Sequence, residues 1–257
     1  MSKKYELTNE TKTLAGGTVL HRIRALRDIP RFGVKAGELG GFVEGENNLS
    51  QDGDAWVYGD AWVYDNACVY GDAWVSDNAK IYGNAWVYGN AWVYGNAKVY
   101  GDASVSGDAN VSGDACVYGN AKVYDDANVS GRACVYVDAW VFCNAKVYGN
   151  ANVSGKANVY GNARVSGNAE ISGDAEVFGN ADYMVIKNIW SSGRWFTYTS
   201  SNKNWAVGCF YGTGEELVAK AYKDSKLSGK CYEAIVRAVE TIEAAKAEAK
   251  GESNGSK

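Results

Sequence analysis

The sequence has few of the residues on which most enzymes rely. Its 257 residues include one histidine and one proline, and its six cysteines form no CxxC pair. It has no HExxH, P-loop, GxSxG or calcium-binding nonapeptide motif, so we predict no metal, cofactor or catalytic residue. Scattered cysteines of this kind are typical of free thiols in a reducing cytoplasm.

Two further absences bear on location and partners. No run approaches the roughly 20 apolar residues of a membrane span, and the opening MSKKYELTNETK lacks the apolar core of a secretory signal. Basic residues are scarce in the middle of the chain, where residues 51–186 hold 7 Lys or Arg against 16 Asp or Glu. Such a surface repels phosphates. We therefore expect a cytoplasmic protein that binds neither membrane nor nucleic acid.

The sequence is dominated by a repeat of six residues. Alanine recurs at this interval from Ala55 to Ala181, 22 times without a miss, and the unit reads A-x-V-[YSF]-[GD]-[ND]. In an extended strand Ala and Val would face inward, while the x residue and the Tyr or Ser would face outward. The Gly-Asn and Gly-Asp pairs tolerate the positive φ that a corner requires.

Three such units make a triangular coil of 18 residues. Coils that stack at the usual strand spacing would form about seven turns and a prism of roughly 35 Å. The predicted fold is mainly β, a single-stranded parallel β-helix over residues 51–186. Residues 1–50 would form an N-terminal cap with the first irregular coils, and residues 187–257 a small C-terminal α+β module.

Each coil has three faces, and the residue after each Ala lies on one of them. The first face carries Trp56, Trp74, Trp92, Asn110, Asn128, Lys146 and Arg164. The second carries Trp62, Lys80, Lys98, Cys116, Cys134, Asn152 and Glu170. The third carries Cys68, Trp86, Ser104, Lys122, Trp140, Asn158 and Glu176.

Aromatic residues form predicted ladders on these faces. After Val on the second face, the ladder consists of Tyr64, Tyr82, Tyr100, Tyr118 and Tyr136. These rings and the first-face tryptophans Trp56, Trp74 and Trp92 would stabilise coil stacking or form an interaction surface. These aromatic residues lie mainly in the N-terminal half of the repeat, and the outward positions beyond about Asp102 carry Ser, Asn and charged residues. This bias favours an interaction surface. Cys116 and Cys134 lie one coil apart, within disulfide range, and we expect free thiols.

Both ends would close the open coils. At the N-terminal end, Arg22, Arg24, Arg27 and Arg31 form a basic cluster, which we expect to pair with Glu38, Glu44 and Glu46; an anion site is the alternative. In the C-terminal module we predict strands in DYMVIKNIW, RWFTYTS and NWAVGCFYG. A capping box at Thr213 would open a helix through about Tyr222. A second helix would start near Ser228 and fade into the tail AAKAEAKGESNGSK, which would be frayed.

Aromatic residues are dense in the C-terminal module. We interpret them as the core of a small sheet, or alternatively as an aromatic cleft with a guanidinium that binds an anion. The cleft candidates are Trp190, Arg194, Trp195 and Trp205.

The repeat resembles the hexapeptide-repeat, left-handed β-helix superfamily. The segment before and into the repeat, which resembles the YdcK-like branch common in bacterial and prophage genomes, reads HRIRALRDIPRFGVKAGELGGFVEGENNLSQDGDAWVYGDAWV. The resemblance implies left-handed coils, trimer formation and, for many members, acyl transfer by a histidine base on the β-helix. The single histidine, His21, precedes the repeat, and no loop interrupts it, so we expect no such activity.

Three functional hypotheses follow. The first is a non-catalytic, phage- or prophage-type binding protein in the host bacterial cytoplasm. It would engage a host protein or a small nucleotide signal, as an inhibitor of host defence in its most specific form. The second is an acyltransferase, active or degenerate, and the third a self-assembling structural protein. A homo-oligomer, such as a trimer, is expected from the resemblance.

Overall fold

The protein is a parallel β-solenoid of about eight turns, closed at its C-terminal end by a small sheet and two helices. The computed structural model describes residues 3–254, and the side chains of residues 3–249. The predicted mainly β fold with a C-terminal α+β module is therefore confirmed.

Each repeat unit contributes one two-residue strand, which consists of the x residue and the following Val or Ile. Within residues 3–254, 21 such strands follow one another along the solenoid. They are β4 Trp56–Val57, β5 Trp62–Val63, β6 Cys68–Val69, β7 Trp74–Val75, β8 Lys80–Ile81, β9 Trp86–Val87, β10 Trp92–Val93, β11 Lys98–Val99, β12 Ser104–Val105, β13 Asn110–Val111, β14 Cys116–Val117, β15 Lys122–Val123, β16 Asn128–Val129, β17 Cys134–Val135, β18 Trp140–Val141, β19 Lys146–Val147, β20 Asn152–Val153, β21 Asn158–Val159, β22 Arg164–Val165, β23 Glu170–Ile171 and β24 Glu176–Val177.

These strands stack in register every 18 residues. On the first face Trp56 pairs with Trp74, and Trp74 with Trp92, in parallel. The second and third faces repeat this pattern, so each predicted face is one parallel sheet. Backbone amides donate to carbonyls of the next coil, such as Trp92 N to Ala109 O at 2.9 Å.

The interior is filled by the inward Ala and Val. Every repeat alanine from Ala55 to Ala175 is buried, as are the strand Val and Ile residues. Ala181 is exposed, because the chain has already turned towards the C-terminal sheet. The structural repeat therefore ends at Val177, one unit earlier than the sequence period indicates.

The corners use left-handed backbone, as the Gly-Asn and Gly-Asp pairs predict. Glycine occupies most of these positions, and Gly95 has φ of 74°. An added Cβ there would lie 3.0 Å from the amide nitrogen of Gly113 on the next coil. Asp65, Asp77 and Asp125 also adopt positive φ, as do the less suited Val137 and Cys143.

The N-terminal end is covered by an antiparallel sheet that continues the second face. Strands β1 Tyr5–Thr13 and β2 Val19–Ala25 pair with each other, and β3 Leu39–Val43 pairs with β2 on one side and with Trp62–Val63 on the other. Two short 3-10 turns, Pro30–Phe32 and Glu46–Asn48, connect this sheet to the coils.

The arginine cluster of this cap does not pair with the predicted glutamates. Its ion pairs are Arg22–Glu10, Arg24–Glu6, Arg27–Asp54 and Arg31–Asp72. β1 lies beside β2 and brings its own carboxylates to Arg22 and Arg24, while Arg27 and Arg31 reach corner aspartates of the solenoid. The predicted partners have other contacts: Glu46 pairs with Lys3, and the Glu38 and Glu44 carboxylates accept backbone amides.

The C-terminal module is a four-stranded antiparallel sheet followed by two helices. Its elements are β25 Tyr183–Lys187, β26 Trp195–Thr199, β27 Asn204–Val207, β28 Phe210–Gly212, α1 Gly214–Asp224 and α2 Lys226–Asn254. The segment predicted as one last strand folds instead as the hairpin β27–β28, because Gly208 has a positive φ and turns the chain. The capping box at Thr213 is confirmed.

The predicted frayed tail is helical as far as the structure describes it. Helix α2 continues to Asn254, and residues 255–257 lie outside the described residues. Lys246 anchors this part, since its Nζ donates to the Ala181 carbonyl at 2.7 Å and pairs with Glu243. The module also binds the last coils through Tyr211, whose hydroxyl donates to the Ser172 carbonyl at 3.1 Å.

Candidate functional site: the outer faces of the solenoid

The tyrosine ladder of the second face stacks as predicted. Neighbouring rings from Tyr64 to Tyr136 lie 4.8–5.1 Å apart with interplanar angles of 2–6°. Burial between neighbours, with the adjacent tyrosines, raises the pKa of Tyr118 to about 12. Each ring covers the next, so this ladder stabilises the coil stack and offers mainly ring edges to a partner.

The first-face tryptophans are largely covered by the N-terminal cap. Trp56 is 0% exposed, and the centroid of its ring lies 6.4 Å from that of Tyr5. The prediction that Trp56 belongs to an interaction surface is therefore wrong. Trp74 is half-buried beneath Phe32, whose ring lies 4.6 Å away. Trp92 is the exposed member of the three. The prediction failed because cap residues without a period fold back onto this face.

The third face carries a ladder that extends through the C-terminal half. Tyr124, Phe142 and Tyr160 stack at 4.9 and 5.1 Å, with interplanar angles of 1° and 4°. The predicted change to a polar surface beyond Asp102 is therefore wrong for this face. This ladder could have been predicted from the residues after Val on the third face, which are Tyr70, Tyr88, Ser106, Tyr124, Phe142, Tyr160 and Phe178.

Exposed tryptophans stand beside this ladder. Trp86 is 53% exposed and Trp140 39%. A cavity of about 450 Å³ is lined by Asp138, Trp140, Phe142, Lys156, Asn158, Tyr160 and Glu176. A second cavity of about 320 Å³ is lined by Tyr88, Ser104, Ser106, Gly107, Lys122, Tyr124, Asp125 and Trp140. Trp140 borders both cavities, so they adjoin one another along this face. We name this surface, from Trp86 to Glu176, the third-face groove.

Charged groups of both signs border the third-face groove. The Lys122 ammonium lies 4.7 Å from the centroid of the Trp140 ring, which it approaches from the next coil. Lys156 and the carboxylates of Asp138 and Glu176 line the larger cavity. The groove thus combines flat apolar rings with separate donors and acceptors, an arrangement suited to binding.

The proposed C-terminal cleft does not form as one site. Trp205 is buried in the core between sheet and helices, where it contacts Phe196 and Tyr198. Trp190 is 64% exposed in the loop before β26, and Trp195 and Arg194 are also exposed. Alternate residues of β26 point to opposite sides of the sheet, so Phe196 enters the core while Trp195 faces away from it.

The cysteine pair of the second face consists of free thiols. Cys116 and Cys134 are directly paired on neighbouring strands. A hydrogen bond from Cys134 lowers the pKa of the Cys116 thiol to about 6, and it raises the pKa of Cys134.

The single histidine lies in the cap. His21 is part of β2, and its Nδ1 lies 3.3 Å from the Thr8 carbonyl. Among residues 3–254 no three His, Cys, Asp or Glu side chains cluster as a metal site, and no helix there is long and apolar enough to cross a membrane.

Comparison with known proteins identifies the repeat. The family model for the YdcK beta solenoid repeat matches residues 79–95, which contain strands β8, β9 and β10. This chain carries a β-solenoid repeat. The match and the observed solenoid together support a β-helix repeat family. No curated protein sequence matches the chain.

Proposed function

We propose that the protein is a non-catalytic binding scaffold that holds a partner protein in the third-face groove. The observation that carries this proposal is the combination of exposed Trp86 and Trp140 with two adjoining cavities on one face. Exposed tryptophans beside concave surface are typical anchors of protein interfaces.

The length of the groove favours a macromolecule over a small nucleotide. The strands from Trp86 to Glu176 are six successive members of one sheet, so the groove extends about 24 Å along the solenoid axis. A free nucleotide would cover only part of this length. A partner segment lying along the groove would use its rings and its charges together.

The resemblance to phage and prophage proteins supplies the cellular setting of the proposal. The partner is a component of the host bacterium, and inhibition of a host defence protein is the narrowest form of this function. Assembly into a homo-oligomer would multiply the grooves and raise avidity.

Capture from a bacterial lysate tests the scaffold proposal. We expect the wild-type protein to retain a specific partner that Trp86→Ala and Trp140→Ala lose. Trp190→Ala is the matched control, because Trp190 is also an exposed tryptophan but lies in the C-terminal module. Equal capture by all four proteins would contradict the proposal, as would a partner lost only with Trp190→Ala.

Acyl transfer is tested separately. We expect no turnover of acetyl-CoA with amine or hydroxyl acceptors, because the residues described contain no histidine on the solenoid faces. Turnover that His21→Ala abolishes would overturn the non-catalytic proposal.

A further inference from the structure

One rung is missing from the third-face ladder. Tyr70 and Tyr88 stack at 4.9 Å and 2°, and Tyr124 and Phe142 stack at 4.9 Å and 1°. Between these two stacks the ladder position is occupied by Ser106, which carries no ring. The ladder is therefore interrupted in one place, with a flat ring on each side.

The interruption has the size of one aromatic ring. Trp86 pairs with Ser104, and Ser104 with Lys122, so Tyr88 and Tyr124 lie two coils apart. Two strand spacings amount to about 9.6 Å, and each rung of an unbroken ladder takes half of this. The 320 Å³ cavity lies here, with Tyr88, Ser106 and Tyr124 among its lining residues.

A similar interruption on the first face lies beside the protein's own rings. Ser76 separates Tyr58 from Tyr94 there, and the neighbouring positions are tryptophans. Trp74 and Trp92 contact each other at 6.1 Å, and Tyr58 stacks on Trp74 at 5.5 Å. At Ser106 the corresponding neighbours are Ser104 and Lys122, which leave space and polar groups in place of indoles.

Polar groups converge at the base and edge of this space. Tyr88, Ser104 and Ser106 each carry a hydroxyl group, and all three residues line this cavity. Lys122 stands at the edge beside Trp140. The carboxylate residue that lines the cavity, Asp125, accepts from the Cys143 amide at 3.3 Å and does not form an ion pair with Lys122.

We propose that the slot between Tyr88 and Tyr124, above Ser106, binds one planar aromatic ring whose acceptor-bearing or anionic edge faces Lys122. The ring would complete the ladder, stacked on both sides. This inference deepens the proposed function, because the slot lies within the third-face groove. Its ligand chemistry is shared by two sources, an aromatic side chain of the partner and a free aromatic anion such as a nucleotide.

The experiment titrates the full-length protein with defined probes, followed by NMR or calorimetry. 2-Naphthoate is planar and anionic, whereas cyclohexanecarboxylate has the same charge without a flat ring. We expect binding of 2-naphthoate only. Guanosine 5′-monophosphate and N-acetyl-tyrosine amide then represent the free nucleotide and the side chain, and the tighter of the two identifies the source.

Filling the slot is the decisive variant. Ser106→Tyr should abolish 2-naphthoate binding and raise the melting temperature by about 2–5 °C, because it adds two stacking contacts. Ser130→Tyr is the matched control: it adds a ring on the first face, beside Tyr148, and should leave binding unchanged. Lys122→Met should weaken 2-naphthoate about threefold to fivefold and leave its uncharged methyl ester unaffected.

Opposite results would overturn the slot. Unchanged 2-naphthoate binding in Ser106→Tyr, or equal binding of cyclohexanecarboxylate, excludes a ring stacked between Tyr88 and Tyr124. Tyr124→Leu, which removes one wall, provides the same test if Ser106→Tyr fails to fold. These results leave the scaffold proposal untouched, because capture of a partner through Trp140 does not require binding of a small probe.

Discussion

A buried lysine closes the N-terminal end of the solenoid. Lys4 is 0% exposed, and its Nζ donates to the Ala55 carbonyl at 2.8 Å, with the Asp52 and Gly53 carbonyls at 3.4 and 3.5 Å. These carbonyls lie at the first corner of the repeat and directly before its first strand. The ammonium group therefore satisfies acceptors that have no coil below them. Burial, together with the nearby Arg27 guanidinium, lowers the pKa of Lys4 from 10.5 to about 8.

This lysine predicts an unusual pH dependence of stability. Between pH 8 and 10 Lys4 is more protonated in the unfolded chain than in the folded one, so the contribution of Lys4 to the free energy of unfolding should rise with pH. The expected rise is about 2–3 kcal/mol, measured by urea denaturation at several pH values. Tyrosines whose pKa is raised by burial, Tyr5 and Tyr118 among them, act in the opposite direction as pH approaches 10, because the folded state keeps their protons longer.

Lys4→Met serves as the control for this pH effect. The variant lacks the titrating group, so its stability should not rise between pH 8 and 10. If the stability of the wild-type protein changed with pH in the same way as that of Lys4→Met over this interval, Lys4 would not be desolvated.

Val137 occupies a corner for which its side chain is poorly suited. Its φ is 63°, and its side chain is 47% exposed, so burial does not offset the strained backbone. Val137→Gly should therefore stabilise the protein by about 1 kcal/mol, as seen in thermal denaturation. The mirror variant Gly131→Val, at the preceding corner, should destabilise, because its Cβ would meet the Gly149 backbone at 3.0 Å. If Val137→Gly lowered the stability of the protein, the interpretation that the Val137 backbone is strained would be wrong.

The ladders are the elements that tie one coil to the next outside the hydrogen-bonded strands. Tyr100 stacks on both Tyr82 and Tyr118 at 4.8 and 4.9 Å, whereas Tyr136, at the end of the ladder, stacks only on Tyr118. An internal ring therefore has two stacking contacts and a terminal ring has one.

This difference predicts that removal of an internal ring lowers the free energy of unfolding about twice as much as removal of the terminal ring. Tyr100→Ser should lower the free energy of unfolding by about 1–3 kcal/mol, and Tyr136→Ser by about half as much. Tyr94→Ser, on the first face between Ser76 and Ser112, controls for loss of a tyrosine without ladder neighbours. Equal losses at Tyr100 and Tyr94 would show that stacking contributes nothing beyond burial.

At the scale of the whole molecule, both ends of the solenoid are covered by non-repetitive segments. The C-terminal sheet lies against the last coil, where the Glu170 amide donates to the Thr197 hydroxyl at 2.9 Å and Tyr183 and Val185 pack on the solenoid core. Uncovered strand edges invite pairing with other chains.

Removal of this cover should convert the protein into one that associates end to end. A chain that ends at residue 182 should form larger species as its concentration increases, measured by size-exclusion chromatography with light scattering. The intact chain at the same concentrations is the control. A truncated protein of constant size would show that the last coil is stable with its edges exposed.

The sequence by itself determined the solenoid, because a strict period of six places equivalent residues on the same face of successive coils. Ala and Val must alternate with outward residues, and every eighteenth residue must stack, so the three faces and the tyrosine ladder from Tyr64 to Tyr136 could be predicted residue by residue. The missing rung at Ser106 could also have been found in this way, since it is a break in the same period.

The tertiary structure decided which faces remain open. Tyr5 and Phe32 come from the cap, and no periodic signal indicates that they fold onto Trp56 and Trp74. Likewise the segments around Trp205 place one aromatic residue in a core and leave Trp190 outside it, according to contacts between residues far apart in sequence. Local patterns fix the repeat because each coil contacts only its neighbours. Coverage of a face depends on long-range packing, and here that packing leaves the third-face groove exposed.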